Sequence, residues 1–143
     1  MSNSEQNADD FELDLTEILG AEEGFSHQIL TLYIPDRDRH NQEIGTQRKW
    51  VLEAAELLAR IGGGVTIMPP TEGGWLDEEN SVIIWERPII VYTYIKPDLF
   101  EAYLPQLRTF LHRMGRETNQ GEIVVEFDNQ FYRISKYDPS WEE

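Results

Sequence analysis

Cysteine is absent from this 143-residue sequence, which excludes disulfides, thiolate metal sites and a cysteine nucleophile together. Long apolar runs are absent too. No stretch approaches the roughly 18 consecutive apolar residues of a membrane span. Bases are scarce: 12 Lys and Arg stand against 27 Asp and Glu, for a net charge of -15. Phosphate partners are held by clustered Lys and Arg, so a nucleic-acid function is disfavoured. The first residues are acidic rather than basic, which argues against a secretory signal. A cytoplasmic location is the resulting expectation.

What is present supports a folded body. Hydrophobic residues make up 40% of the chain and aromatics 11%, enough for a core in one domain. The charge is unevenly placed: residues 1–25 carry eight acids and no base. The sequence therefore divides into an acidic N-terminal tail (1–25), a mildly acidic domain (26–135) and a short acidic C-terminal tail (136–143). Within the first tail, residues 11–19 alternate apolar and acidic side chains. Phe11 and Leu15 mark that stretch as a docking segment, onto this chain's own body or a partner.

Hydrophobic periodicity places a strand at 27–34, ended by Pro35, and a helix at 47–61 between a Thr46 cap and Gly62. A second strand at 65–68 precedes Pro69. Gly73, Gly74 and residues 77–80 read as turns around Trp75 and Leu76. Apolar strands follow at 82–85 and 89–95, separated by Pro88. Pro97 opens a second helix in which Pro105 predicts a kink and Gly115 the C-terminal cap. A hairpin over 122–135 closes the domain. This order predicts an α+β two-layer sandwich of the ferredoxin-like kind, with two helices on one face of a mainly antiparallel sheet.

Three places carry candidate chemistry. The first is the helix-to-strand joint at 111–122, which packs His112, Arg113, Arg116, Glu117, Asn119 and Gln120 into twelve residues. On a regular helix His112, Arg113 and Arg116 face solvent, and the two arginines complement the helix dipole. The second is Asp36, Arg37, Asp38, Arg39, His40 and Asn41, after the first strand. Asp36, Asp38 and His40 offer oxygen and imidazole donors, or general bases with Glu117, although the run lacks the glycine of a calcium loop. The fold brings both places to one end of the sheet, beside the Gly73–Asp77 turn.

The third is the first helix. Its core stripe is Trp50, Ala54, Leu57, Leu58 and Ile61. Leu52, Ala55 and Ala59 make a second apolar side that needs its own cover. With Trp141 in the C-terminal tail, they suggest a protein partner or a homodimer.

The motifs Tyr33–Arg39, Gly62–Thr66, Gly74–Asp77 and Glu117–Glu122 together resemble a group of small prokaryotic proteins to which no activity is attached. That resemblance implies a prokaryotic or phage-related soluble protein. No metal or cofactor is expected, and no complete catalytic constellation is present. The expected function is an accessory or regulatory module acting through protein contacts. The alternatives are a metal-assisted hydrolase or nuclease-like enzyme using the Asp36–His40 loop and Glu117, and a binder of small anionic ligands through Arg37, Arg39, Arg113, Arg116, Asn119 and Gln120.

Overall fold

The computed structural model describes residues 13–22 and 27–140. The expectations placed on Phe11, Trp141 and the first ten residues lie outside these. In chain order the elements are α1 (Leu15–Leu19), β1 (Ile29–Ile34), α2 (Gln47–Gly62), β2 (Thr66–Ile67), β3 (Gly73–Asp77), β4 (Val82–Glu86), β5 (Ile89–Tyr94), α3 (Pro97–Glu117), β6 (Ile123–Phe127) and β7 (Gln130–Ile134). Five strands form one antiparallel sheet in the order β2-β5-β1-β6-β7, while β3 and β4 pair only with each other. The architecture is the α+β one that the sequence predicts. No described helix is long and apolar enough to cross a membrane.

Period-two alternation decides which sheet face is covered. Leu30, Leu32 and Ile34 of β1, Ile89 and Val91 of β5, and Ile123 and Val125 of β6 are buried with the helices. The intervening Tyr33, Tyr92 and Tyr94 lie on the other face, where Tyr33 donates to the Glu126 carboxylate. Burial and that carboxylate push the Tyr33 phenol up to about 12.

The long helices lie side by side. Trp50 of α2 meets Phe110 of α3 edge to face at 6.0 Å. Arg113 lies 4.8 Å above the Trp50 ring and bonds Glu53 at 3.1 Å. Arg113 is thus a bolt between helices rather than a solvent-facing charge, and a cation over an indole is worth about 0.5–2 kcal/mol. The second apolar side of α2 is largely accounted for by this packing. Ala55 is buried and Ala59 half-buried, so only Leu52 of that side stays exposed.

Local chemistry departs from expectation at four points. Thr46 makes no side-chain cap; its hydroxyl accepts the Trp50 indole N–H at 3.2 Å and fixes that ring. Gly73–Asp77 is a strand, because pairing with β4 extends Trp75 and Leu76. Helix α3 continues through Pro105, which is exposed with Glu101, so the carbonyl lacking its donor meets water. Nor does Gly115 cap α3. The helix runs on to Glu117, and Asn119 takes the left-handed conformation at φ 53°. Gly115 is required because Tyr137 lies across it: a Cβ there would sit 2.1 Å from the Tyr137 ring.

Helix α1 is short and none of its residues is buried; Leu15, Ile18 and Leu19 are exposed.

Replacing Gly115 with Ala should cost about 1–3 kcal/mol by overpacking. Most of that loss should return when Tyr137 is also replaced by Ala. Urea unfolding of the single and double variants checks this. Additive losses would show that Tyr137 does not cover Gly115.

Candidate functional site

The joint at 118–120 folds back on the helix end. The Thr118 hydroxyl and amide both donate to the Met114 carbonyl, at 2.6 and 3.0 Å, and the Gln120 amide donates to the Gly115 carbonyl at 2.9 Å. The left-handed Asn119 then turns the chain toward β6, burying the Gln120 side chain. Its carboxamide nitrogen donates to the Arg37 carbonyl at 2.6 Å and the Thr118 carbonyl at 3.2 Å. Its main-chain carbonyl accepts from the Arg39 guanidinium at 2.8 Å and the Tyr137 hydroxyl at 3.0 Å. Arg39 also donates its amide to the Asn119 carbonyl at 2.9 Å. The two polar segments singled out in the sequence therefore meet, and they do so through Gln120.

Most of the other candidates serve structure. His112 is buried rather than solvent-facing; its Nδ1 accepts the Asp138 amide at 2.8 Å, and its ring meets Tyr137 edge-on. Arg108 grips the Asp138 carboxylate with two bonds of 2.8 and 2.9 Å, and Arg116 donates to the Asp138 carbonyl. That grip by Arg108 holds the Asp138 carboxyl below the usual range. A helical projection cannot show this, because the cover comes from residues 137–138, distant in sequence. Glu117 lies 3.7 Å from Arg113. Asp38 accepts the His40 and Gln42 amides at 2.8 and 3.0 Å, shaping its own loop, and the Gln42 bond foremost lowers its carboxyl. His40 is exposed. Among the described residues no three His, Asp or Glu gather in a way that could hold a metal ion, so Asp36, Asp38, His40 and Glu117 do not form one ligand set.

A cleft of about 330 Å³ opens beside this loop, lined by Asp36, Arg37, Glu72, Trp85, Glu86 and Arg87. Its walls come from three stretches of chain. Asp36 and Arg37 follow β1; Glu72 precedes β3; Trp85, Glu86 and Arg87 close β4. The walls are stitched at their base. Asp36 accepts the Arg87 amide at 2.9 Å, and the Gln47 carboxamide donates to both the Ile34 and Arg87 carbonyls, at 3.1 and 2.9 Å. Thr71 donates its amide and its hydroxyl to the Pro88 carbonyl, at 3.0 and 2.8 Å. Burial first, and the Asp36 charge second, push the Glu86 carboxyl above its ordinary value. Arg37 Nε is buried and lies 3.7 Å from the Asp36 carboxylate, beyond hydrogen-bond distance, while another guanidinium nitrogen lies 3.6 Å from Glu43.

The hairpin thus enters the site through its base. Trp75 is exposed, and Asp77 accepts the Glu79 amide within the hairpin turn. Glu72, Trp85, Glu86 and Arg87 were not among the residues that the sequence marked. The signal available was the charged pair Glu86–Arg87, set between the apolar run 82–85 and Pro88.

The molecule is a mainly antiparallel α+β fold with a polar cleft at one sheet end. No protein-family model and no curated protein matches the sequence. Solved structures do share the fold. A phage SAM lyase in complex with S-methyl-5'-thioadenosine aligns with a TM-score of 0.52 at 11% identity, over 79% of this chain and 92% of that one. A phage SAM lyase in its apo state aligns with a TM-score of 0.54 at 11% identity, over 82% and 98% of the respective chains. At that identity the likeness establishes the fold alone.

The raised Glu86 carboxyl gives a stability signature. A carboxyl shifted upward in the folded state favours the protonated native form, so its stabilising contribution is present at low pH and lost as pH rises through the folded value. Glu86→Gln should therefore match the parent near pH 4 and exceed it in stability near pH 7, values that bracket the ordinary glutamate range of about 4.3 and the region above it. Urea midpoints at the two pH values check this. An equal difference at both would show that Glu86 does not titrate abnormally.

Proposed function

We propose that the cleft at the base of the β3–β4 hairpin binds an adenosyl sulfonium, S-adenosylmethionine, and that the chain acts on it as a lyase. One observation carries this reading: three carboxylates and an indole surround a single cleft. A sulfonium and an ammonium are both cations. Asp36, Glu72 and Glu86 supply opposite charge, Trp85 offers a π face to a cation or an adenine ring, and Arg37 and Arg87 suit the carboxylate of an amino-acid end. The volume falls at the lower end of the range for small-ligand pockets, roughly 300–1,000 Å³. The fold shared with phage SAM lyase supports the choice of ligand. In the balanced step the substrate's own carboxylate attacks Cγ, forming a C–O bond as the Cγ–S bond breaks, and gives homoserine lactone and the neutral thioether. The cleft carboxylates therefore hold the sulfonium more tightly than S-methyl-5'-thioadenosine and favour product release.

The test is calorimetric titration with S-adenosylmethionine at low salt, followed by chromatography for S-methyl-5'-thioadenosine. Binding is expected to weaken by about tenfold, a loss near 1.4 kcal/mol, in each of Trp85→Ala and Glu86→Gln. Turnover should produce the thioether faster than the protein-free control, in proportion to protein concentration. No heat and no thioether would sink the proposal.

A second reading keeps the protein-contact module. It is favoured by the exposed apolar hairpin, where Trp75, Leu76, Val82, Ile83 and Trp85 all meet solvent. A two-stranded hairpin standing alone is marginal in water, so a cover would stabilise it. Light scattering on the same sample decides whether a second copy provides that cover; a mass of 16.7 kDa at high concentration would exclude it.

A further inference from the structure

We propose that Gln120 is a positioning residue for the cleft, acting through Arg37 and touching no ligand itself. The inference rests on the cleft being the ligand site, and it assigns a task to the joint that the ligand reading leaves unused. Gln120 is buried, whereas Arg37 lines the cleft. The two are joined at one atom pair, the Gln120 Nε2 donor and the Arg37 carbonyl, 2.6 Å apart. The same carboxamide reaches the Thr118 carbonyl, so the Arg37 main chain is tied to the end of α3 through one planar group.

The neighbouring bonds turn this tie into a fixed wall. The Gln120 carbonyl takes the Arg39 guanidinium and the Tyr137 hydroxyl, and the Asn119 carbonyl takes the Arg39 amide. Arg37 and Arg39 are thereby held on either side of Asp38, whose amide donates to the Gln42 carbonyl at 2.8 Å. The opposite wall is fixed independently, by Gln47 across Ile34 and Arg87. Asp36 sits between the two anchors and accepts the Arg87 amide. Loss of the Gln120 bond removes the tie from the Arg37 carbonyl to α3 and leaves that wall on its Arg37–Glu43 β-bridge and the Arg39 bonds, a looser hold than the opposite wall keeps. The Asp36 carboxylate and the Arg37 guanidinium then sample more than one arrangement, and ordering them on binding costs affinity.

The variant is Gln120→Met, which keeps the side-chain volume, deletes the donor and retains the main-chain carbonyl used by Arg39 and Tyr137. Two readouts are taken well below the melting transition. The first is the dissociation constant for S-adenosylmethionine, expected to rise about tenfold, with Gln47→Met giving a comparable rise from the other wall. The second is hydrogen exchange of the unliganded protein, expected to quicken at the Asp38 and Arg39 amides while β1 and β5 keep their protection. A merely structural loss would quicken exchange throughout the sheet, and that result overturns the inference.

The outcomes separate this inference from the ligand reading. If the parent binds S-adenosylmethionine and Gln120→Met binds it equally well, the positioning role is wrong and the ligand reading stands. If the parent binds none, the ligand reading fails, and exchange alone judges Gln120. Quickening confined to residues 36–43 then supports the positioning role; no change refutes it.

Discussion

One buried carboxamide ties a wall of the cleft to the end of α3. Gln120 donates to two carbonyls from its side chain and accepts two donors at its own carbonyl, all within the joint between α3 and β6. Carbonyls removed from water need such donors, because an unmatched buried polar group costs about 1–3 kcal/mol. The loop carrying Asp36–Asn41 belongs to no strand of the sheet and closes on itself through the Arg37–Glu43 β-bridge. Its geometry is set by the Gln120 side chain together with the Arg39 bonds to the joint and that bridge. Gln47 does the corresponding work on the hairpin side, so two glutamines brace the walls on which the charged residues stand.

A division of labour among the charged residues follows. Arg113 joins the helices, Arg108 and Arg116 hold the chain at Asp138, Arg39 secures the joint, and Asp38 shapes its own turn. Each of these groups has a partner that accounts for it. The residues around the cleft differ. Glu86 is held above its ordinary protonation range beside Asp36, and the buried Arg37 Nε faces the Asp36 carboxylate at 3.7 Å without a hydrogen bond. Groups left at a disadvantage in one cleft are the usual mark of a binding site.

The fold was legible because its signals are periodic. Alternation in β1, β5 and β6, the apolar stripe of α2 and the Asp128–Asn129 turn specify the strands, helix and terminal hairpin locally. Both turn residues adopt positive φ, at 52° and 65°, as a two-residue hairpin loop requires. What escaped was whatever depends on distant chain. His112 and Arg116 look solvent-facing until residues 137–138 fold over them, and Gly115 looks like a cap until Tyr137 arrives. The meeting of the Asp36 loop with the 117–122 joint was legible from topology. The cleft was only half legible, since Glu72, Glu86 and Arg87 become a set only when the β3–β4 hairpin folds back beside Asp36. Asp36, Asp38 and Glu117 each meet a different partner, the Arg87 amide, the His40 and Gln42 amides and the Arg113 guanidinium, and do not gather as one metal-holding group among the described residues.

The most direct test of the cleft as the functional site is a crystal structure of the protein grown with S-methyl-5'-thioadenosine. The account predicts the adenine and ribose seated between Trp85 and the Asp36–Arg37 wall, with the thioether beside Glu86 and Gln120 unmoved. Nucleoside density elsewhere on the molecule, with the cleft holding only water, would contradict it.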